Sequence, residues 1–114
     1  MKTLRNLLLA AAMLTCTSAS AQYVDGNSLH TDLSSEKSSL KMYALGYIVG
    51  VADVSIAAEV LCMPVDVTQG QLQDVVKNFM MANPQARNLP AYLLVQASLG
   101  KYWACPDSPK RKKL

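Results

Sequence analysis

The chain predicts a small all-α bundle of about four helices around one central apolar helix, held by a single disulfide. Three observations carry that prediction. Residues 42–64, MYALGYIVGVADVSIAAEVLCMP, form a long apolar run whose only charges are Asp53 and Glu59. Leu72, Val75, Val76, Phe79 and Met80 repeat at the i, i+3, i+4, i+7, i+8 spacing of an amphipathic helix. Two cysteines, Cys62 and Cys105, remain once an export signal is set aside.

That signal is the first element. Lys2 and Arg5 precede an apolar run over 7–14, and Ala19-Ser20-Ala21 reads as an A-x-A cleavage site. Residues 1–21 are expected to be removed, Cys16 with them, leaving an exported mature chain from Gln22. An even cysteine count in an oxidising compartment predicts the Cys62–Cys105 disulfide. A domain this small buries little surface, so a staple of that kind matters.

The formal charge of +3 misleads. Without the signal, nine basic residues face eight acidic ones, and four of the nine are Lys110, Arg111, Lys112 and Lys113. The helical domain, expected over 22–107, is mildly acidic, with a basic disordered tail over 108–114. Such a domain suits a basic protein partner and argues against nucleic acid.

Asp25, Asn27 or Ser28 can cap a first short helix over about 28–34. A polar connector over 34–39 leads into the central helix, which has no proline and no strict alternation and is too long for a strand. At 100° per residue Asp53 shares a side with Gly46, Val49, Gly50, Ile56, Ala57 and Val60, while Ser55 and Glu59 share another. A helix apolar nearly all round is a core helix or a membrane span. A mid-bilayer carboxylate costs about 2.5–3.5 kcal/mol, so the core reading is preferred and no span is expected. In that reading Gly46 and Gly50 admit a neighbouring helix, and Asp53 is a buried structural carboxylate met by fixed donors. Met63-Pro64 is expected to close the helix.

Thr68-x-x-Gln71 matches a capping box for the third helix, and Asn83-Pro84 stops it. Asn88 is expected to cap the fourth, with Pro90 in its first turn and Ala91, Leu94, Val95, Ser98 and Tyr102 facing inward. The connector between these helices, over 81–89, holds Asn83, Gln85, Arg87 and Asn88, with prolines at 84 and 90. Its composition suits a rigid plug for a partner's cleft, against the plainer reading of a helix–helix connection.

Catalytic chemistry finds no support. His30 is the one histidine, read as a surface helix residue, and no Cys/His cluster indicates zinc. No nucleophile elbow or phosphate-cradling glycine loop occurs. No catalytic residue, metal or cofactor is expected, and the chain does not read as an enzyme.

Five short motifs occur in order: Gly26-Asn27-x-Leu29; Tyr43-Ala44-Leu45-Gly46-Tyr47-Ile48-Val49-Gly50-Val51-Ala52-Asp53; Cys62-Met63-Pro64 with Val67-Thr68-x-x-Gln71-Leu72; Asn83-Pro84; and Ala104-Cys105-Pro106. Together they resemble the Rap/Tai immunity-protein family, the resistance-associated and type VI amidase immunity proteins. The resemblance implies a small secreted helical protein that binds a toxin, a peptidoglycan amidase delivered by type VI secretion. A homodimer stays open. The family usually carries two further cysteines where this chain has Leu33 and Ala44, and the apolar replacements imply packing in place of a second bridge. The competing reading is a periplasmic helical chaperone of the acid-stress type.

Overall fold

The computed structural model describes residues 23–106. The expected signal segment 1–21, Gln22, Asp107 and the expected basic tail 108–114 lie outside the described residues. Four α-helices follow one another: α1 (Gly26–Leu33), α2 (Ser38–Ala57), α3 (Gln69–Ala82) and α4 (Ala91–Trp103), with a 3-10 turn at Pro84–Ala86 between the last two. No strand forms among the described residues, and α2 packs against all three other helices. The all-α bundle around a central helix is the architecture the sequence predicts.

Side-chain caps start two of the helices. Asp25 caps α1, its carboxylate accepting from the Ser28 amide at 2.7 Å. Thr68 and Gln71 form the expected capping box of α3: the Thr68 hydroxyl accepts from the Gln71 amide and the Gln71 side chain accepts from the Thr68 amide. The fourth helix is capped differently from expectation. Pro90, not Asn88, occupies its N-cap.

The central helix also stops earlier than Met63-Pro64. After Ala57 the amide of Val60 bonds the Ser55 carbonyl at 2.8 Å and the amide of Glu59 bonds that of Ile56 at 3.0 Å. That is a Schellman ending, with Glu59 at φ 56° in the left-handed position that glycine usually fills.

Two short ties close the bundle. Leu61 and Ala104 form an antiparallel bridge, the Cys62 amide donates to the Trp103 carbonyl at 2.8 Å, and the Cys62–Cys105 disulfide joins the same two segments. At the other end Asp25 bridges Pro90, with Gly26 donating to the Leu89 carbonyl and Asn27 to that of Arg87. A Cβ on Gly26 would strike the Leu94 side chain and come within 2.7 Å of the Arg87 carbonyl oxygen. Only glycine permits this approach.

The core holds Leu29 and Leu33 of α1, Ala44, Ile48 and Ala52 of α2, Leu72, Val76 and Met80 of α3, and Leu94, Val95 and Leu99 of α4. Leu33 and Ala44 are thus both fully buried in one cluster. Tyr102, expected inward, is largely exposed, and Leu99 takes its place.

The larger correction concerns α2. Its buried stripe is Ala44, Ile48, Ala52 and Ser55, and Gly46, Gly50 and Asp53 are exposed. The grouping of Asp53 with the two glycines holds, but that side faces outward. A helix apolar on both sides does not declare which one is inward. Small residues let α2 seat closely at the centre, and Ser55 is satisfied there by the Gln96 amide at 3.0 Å. A Cβ at Gly46 or Gly50 would meet nothing within 4 Å, so neither glycine admits a neighbouring helix. Asp53 is not a buried structural carboxylate.

Candidate interaction surface

The outward side of α2 remains strongly apolar. Met42, Tyr43 and Val54 are 65%, 56% and 68% exposed, and Ile56 is exposed beside them. Tyr92 and Leu93 of α4 and Leu89 before it add to the exposed large apolar side chains. Scattered apolar residues on a surface are ordinary, whereas a contiguous patch marks an interaction site.

Between α2 and α4 the patch deepens into an open groove of about 440 Å³, lined by Gly46, Tyr47, Gly50, Val51, Val54, Tyr92 and Gln96. Its walls are almost wholly apolar. The glycines form the floor because they lack side chains, and Tyr47 and Tyr92 stand at the junction with α4. Burial raises the Tyr47 phenol above its ordinary pKa, opposed by a backbone hydrogen bond at Tyr92 and reinforced by the neighbouring phenols of Tyr43 and Tyr92. The phenol therefore stays neutral at any physiological pH. At the top of the groove the Gln96 amide is held by its bond to Ser55. The site is uncharged apart from Asp53 on the adjoining strip, and it suits apolar contact rather than chemistry.

Residues 83–89 of the connector are built otherwise. The Asn83 side-chain amide donates to the Phe79 carbonyl at 2.8 Å, and the Arg87 Nε donates to the Met80 carbonyl at 2.9 Å. Both satisfy carbonyls at the end of α3 that have no partner within the helix. The Gln85 amide reaches Asn83 at 3.3 Å, and Gln85 and Asn88 are exposed. The connector's backbone also receives the amides of Gly26 and Asn27. Asn83 and Arg87 thus have structural work, which leaves Gln85 and Asn88 as the outward part of that predicted plug.

His30 is not a simple surface residue. It is half-buried, and its Nδ1 is enclosed without a hydrogen-bond partner. Burial first, then the charges of Arg87 and Lys77, lower its pKa from the ordinary value. Among the described residues no three His, Cys, Asp or Glu side chains gather where a metal ion could sit. Helix Ser38–Ala57 is long and apolar enough to cross a membrane by length and composition; here its small-residue stripe is packed into the bundle.

The sequence singles out the glycines of the groove, shows Tyr47 and Val51 only as members of a motif, and gives no sign of Val54, Tyr92 or Gln96 as site residues. One signal was present. The run over 42–64 holds more apolar side chains than a single helical face can bury, so some had to remain outside.

A family model described as Rap1a immunity proteins matches residues 10–105, most of the chain. No curated protein matches the chain, and no solved structure does.

Proposed function

The chain belongs to the Rap1a immunity protein family, and from that premise we propose that it is a periplasmic immunity protein that binds a peptidoglycan amidase delivered by type VI secretion and holds it inactive. Family membership supports a toxin as the partner. The observation that carries the binding reading is the apolar outer side of α2, which folding leaves uncovered on a disulfide-stapled frame. Large exposed apolar side chains cost solubility, and burial against a partner repays about 25 cal/mol per Å² before the costs of association. An amidase acts on a bulky polymer through an open cleft, so a small rigid protein seated at the cleft rim excludes the substrate without chemistry of its own.

The expected N-terminal signal and the cysteine pair support an exported location. The acid-stress chaperone reading requires apolar surface to be uncovered on acidification. Here that surface stands uncovered in the fold itself, which favours a standing binding surface.

The test uses purified type VI peptidoglycan amidases of each cleavage class with the mature chain from Gln22. Release of peptides from cell-wall sacculi should stop at equimolar protein for one of them. Full amidase activity in every case, or protection of cells only against a toxin with a different target, contradicts the proposal. Cell fractionation that leaves the protein in the cytoplasm, with residues 1–21 still attached, contradicts its location.

A further inference from the structure

From the α2–α4 groove we infer that the occupant is an amphipathic helix of the toxin, crossing α2 at Gly46 and Gly50; the inference rests on the immunity reading above. From Gly46 to Val54 the groove runs eight residues, about 12 Å of helix. That length takes two apolar side chains spaced one turn, about 5.4 Å, apart, which is how a helix presents i and i+4 anchors to a groove. The floor is bare helix backbone at two positions one turn apart, with open space above each. A partner's backbone can therefore come closer here than anywhere else along α2. Tyr47 and Tyr92 wall one side, and the exposed Tyr43 and Val54 stand near the two ends.

Charge narrows the partner further. Asp53 shares the glycine side and is exposed, and the only other charged residue in α2 is Lys41 near its start. A helix with apolar anchors along its middle and a lysine or arginine at its rim complements this surface, whereas an acidic rim is repelled.

The glycines make the inference separable from folding. They are exposed and interior to a helix, where glycine costs about 1 kcal/mol relative to a good helix former. Gly46→Leu and Gly50→Leu should therefore fold with an unchanged or raised thermal midpoint while filling the groove. The probes are the amidase that the wild-type chain inhibits and, independently of any toxin, helical peptides selected on the wild-type protein from a displayed library. Wild type should select peptides with apolar residues at i, i+3 or i+4 spacing. Each leucine variant should weaken both probes at least 30-fold, and Asp53→Lys should weaken those with a basic rim.

If no amidase is inhibited but selected helices bind and are lost in the variants, the groove is a helix-binding site, while the immunity reading and with it the toxin as the source of the helix are overturned. If an amidase is inhibited equally by wild type and both leucine variants, the immunity reading stands and the groove inference is overturned. Selection of no helical peptide also overturns it. A wild-type dimer dissociated by Gly50→Leu with no loss of amidase inhibition assigns the groove to a second copy. Flotation with anionic vesicles that Gly50→Leu abolishes, again without loss of inhibition, assigns it to a lipid surface. Either result overturns the inference.

Discussion

Helices α2 and α3 use apolar residues in opposite ways. The third helix buries Leu72, Val76 and Met80, packs Val75 and Phe79 against the core, and turns Asp74 and Asn78 to water, with Met81 its one exposed large apolar residue. The second buries Ala44, Ala52 and Ser55 around one large residue, Ile48, and turns Met42, Tyr43, Val54 and Ile56 outward. Folding alone explains α3, because its apolar stripe is consumed by the core. It does not explain α2, where an apolar side larger than the core requires is left over. The difference separates residues that hold the bundle from residues available to a partner, and substitutions should follow the same division.

The largest effects should fall on the frame. Replacing Cys62 and Cys105 together by alanine removes a bridge of sequence separation 43 and should lower unfolding free energy by about 2–5 kcal/mol, read from denaturant melts. Met80→Ala should cost a similar amount, about 2–5 kcal/mol, because it empties a fully buried position. Val54→Ala on the outer side of α2 should change stability by no more than about 0.5 kcal/mol. A large loss at Val54 would erase the distinction between the two helices.

The glycines sharpen it by sign. Gly26→Ala forces a Cβ against the Arg87 backbone and should destabilise by about 1–3 kcal/mol, the usual cost of overpacking. At Gly46 and Gly50 alanine meets open space and should stabilise by up to about 1 kcal/mol each. Both sets follow from thermal or chemical unfolding of single variants. Destabilisation at Gly50 would mean that a neighbour already occupies the groove. Asp53→Ala should be nearly silent, within about 0.5 kcal/mol.

The smallest effect is a pH dependence. The folded-state pKa of His30 lies below its ordinary value, so the unfolded chain takes up the proton more readily. Its contribution to stability is complete above about pH 6.5, declines as pH falls through that value, and levels off below the folded-state pKa. His30→Asn should flatten the stability profile between pH 7.5 and 5.5. An equally steep profile in the variant would place the acid response in another group.

Much of the frame was legible before the fold was described. The capping box at Thr68 and Gln71, the stripe of α3, the stop at Asn83-Pro84 and the Cys62–Cys105 pair rest on local rules that tertiary packing did not override. Gly26 was visible as part of a motif, but its reason is tertiary, a close approach to Arg87 and Leu94. The inward side of α2 was not legible. Both sides are apolar, so periodicity carries no preference, and the decision falls to side-chain size: Ala44, Ala52 and Ser55 fit between three other helices where Met42 or Tyr43 would not. The connector is a separate case. The polar side chains that make Asn83 and Arg87 resemble a binding loop also bond carbonyls in the last turn of α3, an obligation invisible until the helix end is located.

On the proposed reading the outer side of α2, rather than the connector, meets the toxin. The most direct test is the dissociation constant of the inhibited amidase for Gly50→Leu beside that for the double variant Gln85→Ala, Asn88→Ala, all chains folded by circular dichroism. At least a 30-fold loss is expected for Gly50→Leu, with the connector variant within about threefold of wild type, the scale of a near-neutral contact outside the hot spot. Wild-type affinity in Gly50→Leu together with a large loss in the connector variant would contradict that reading.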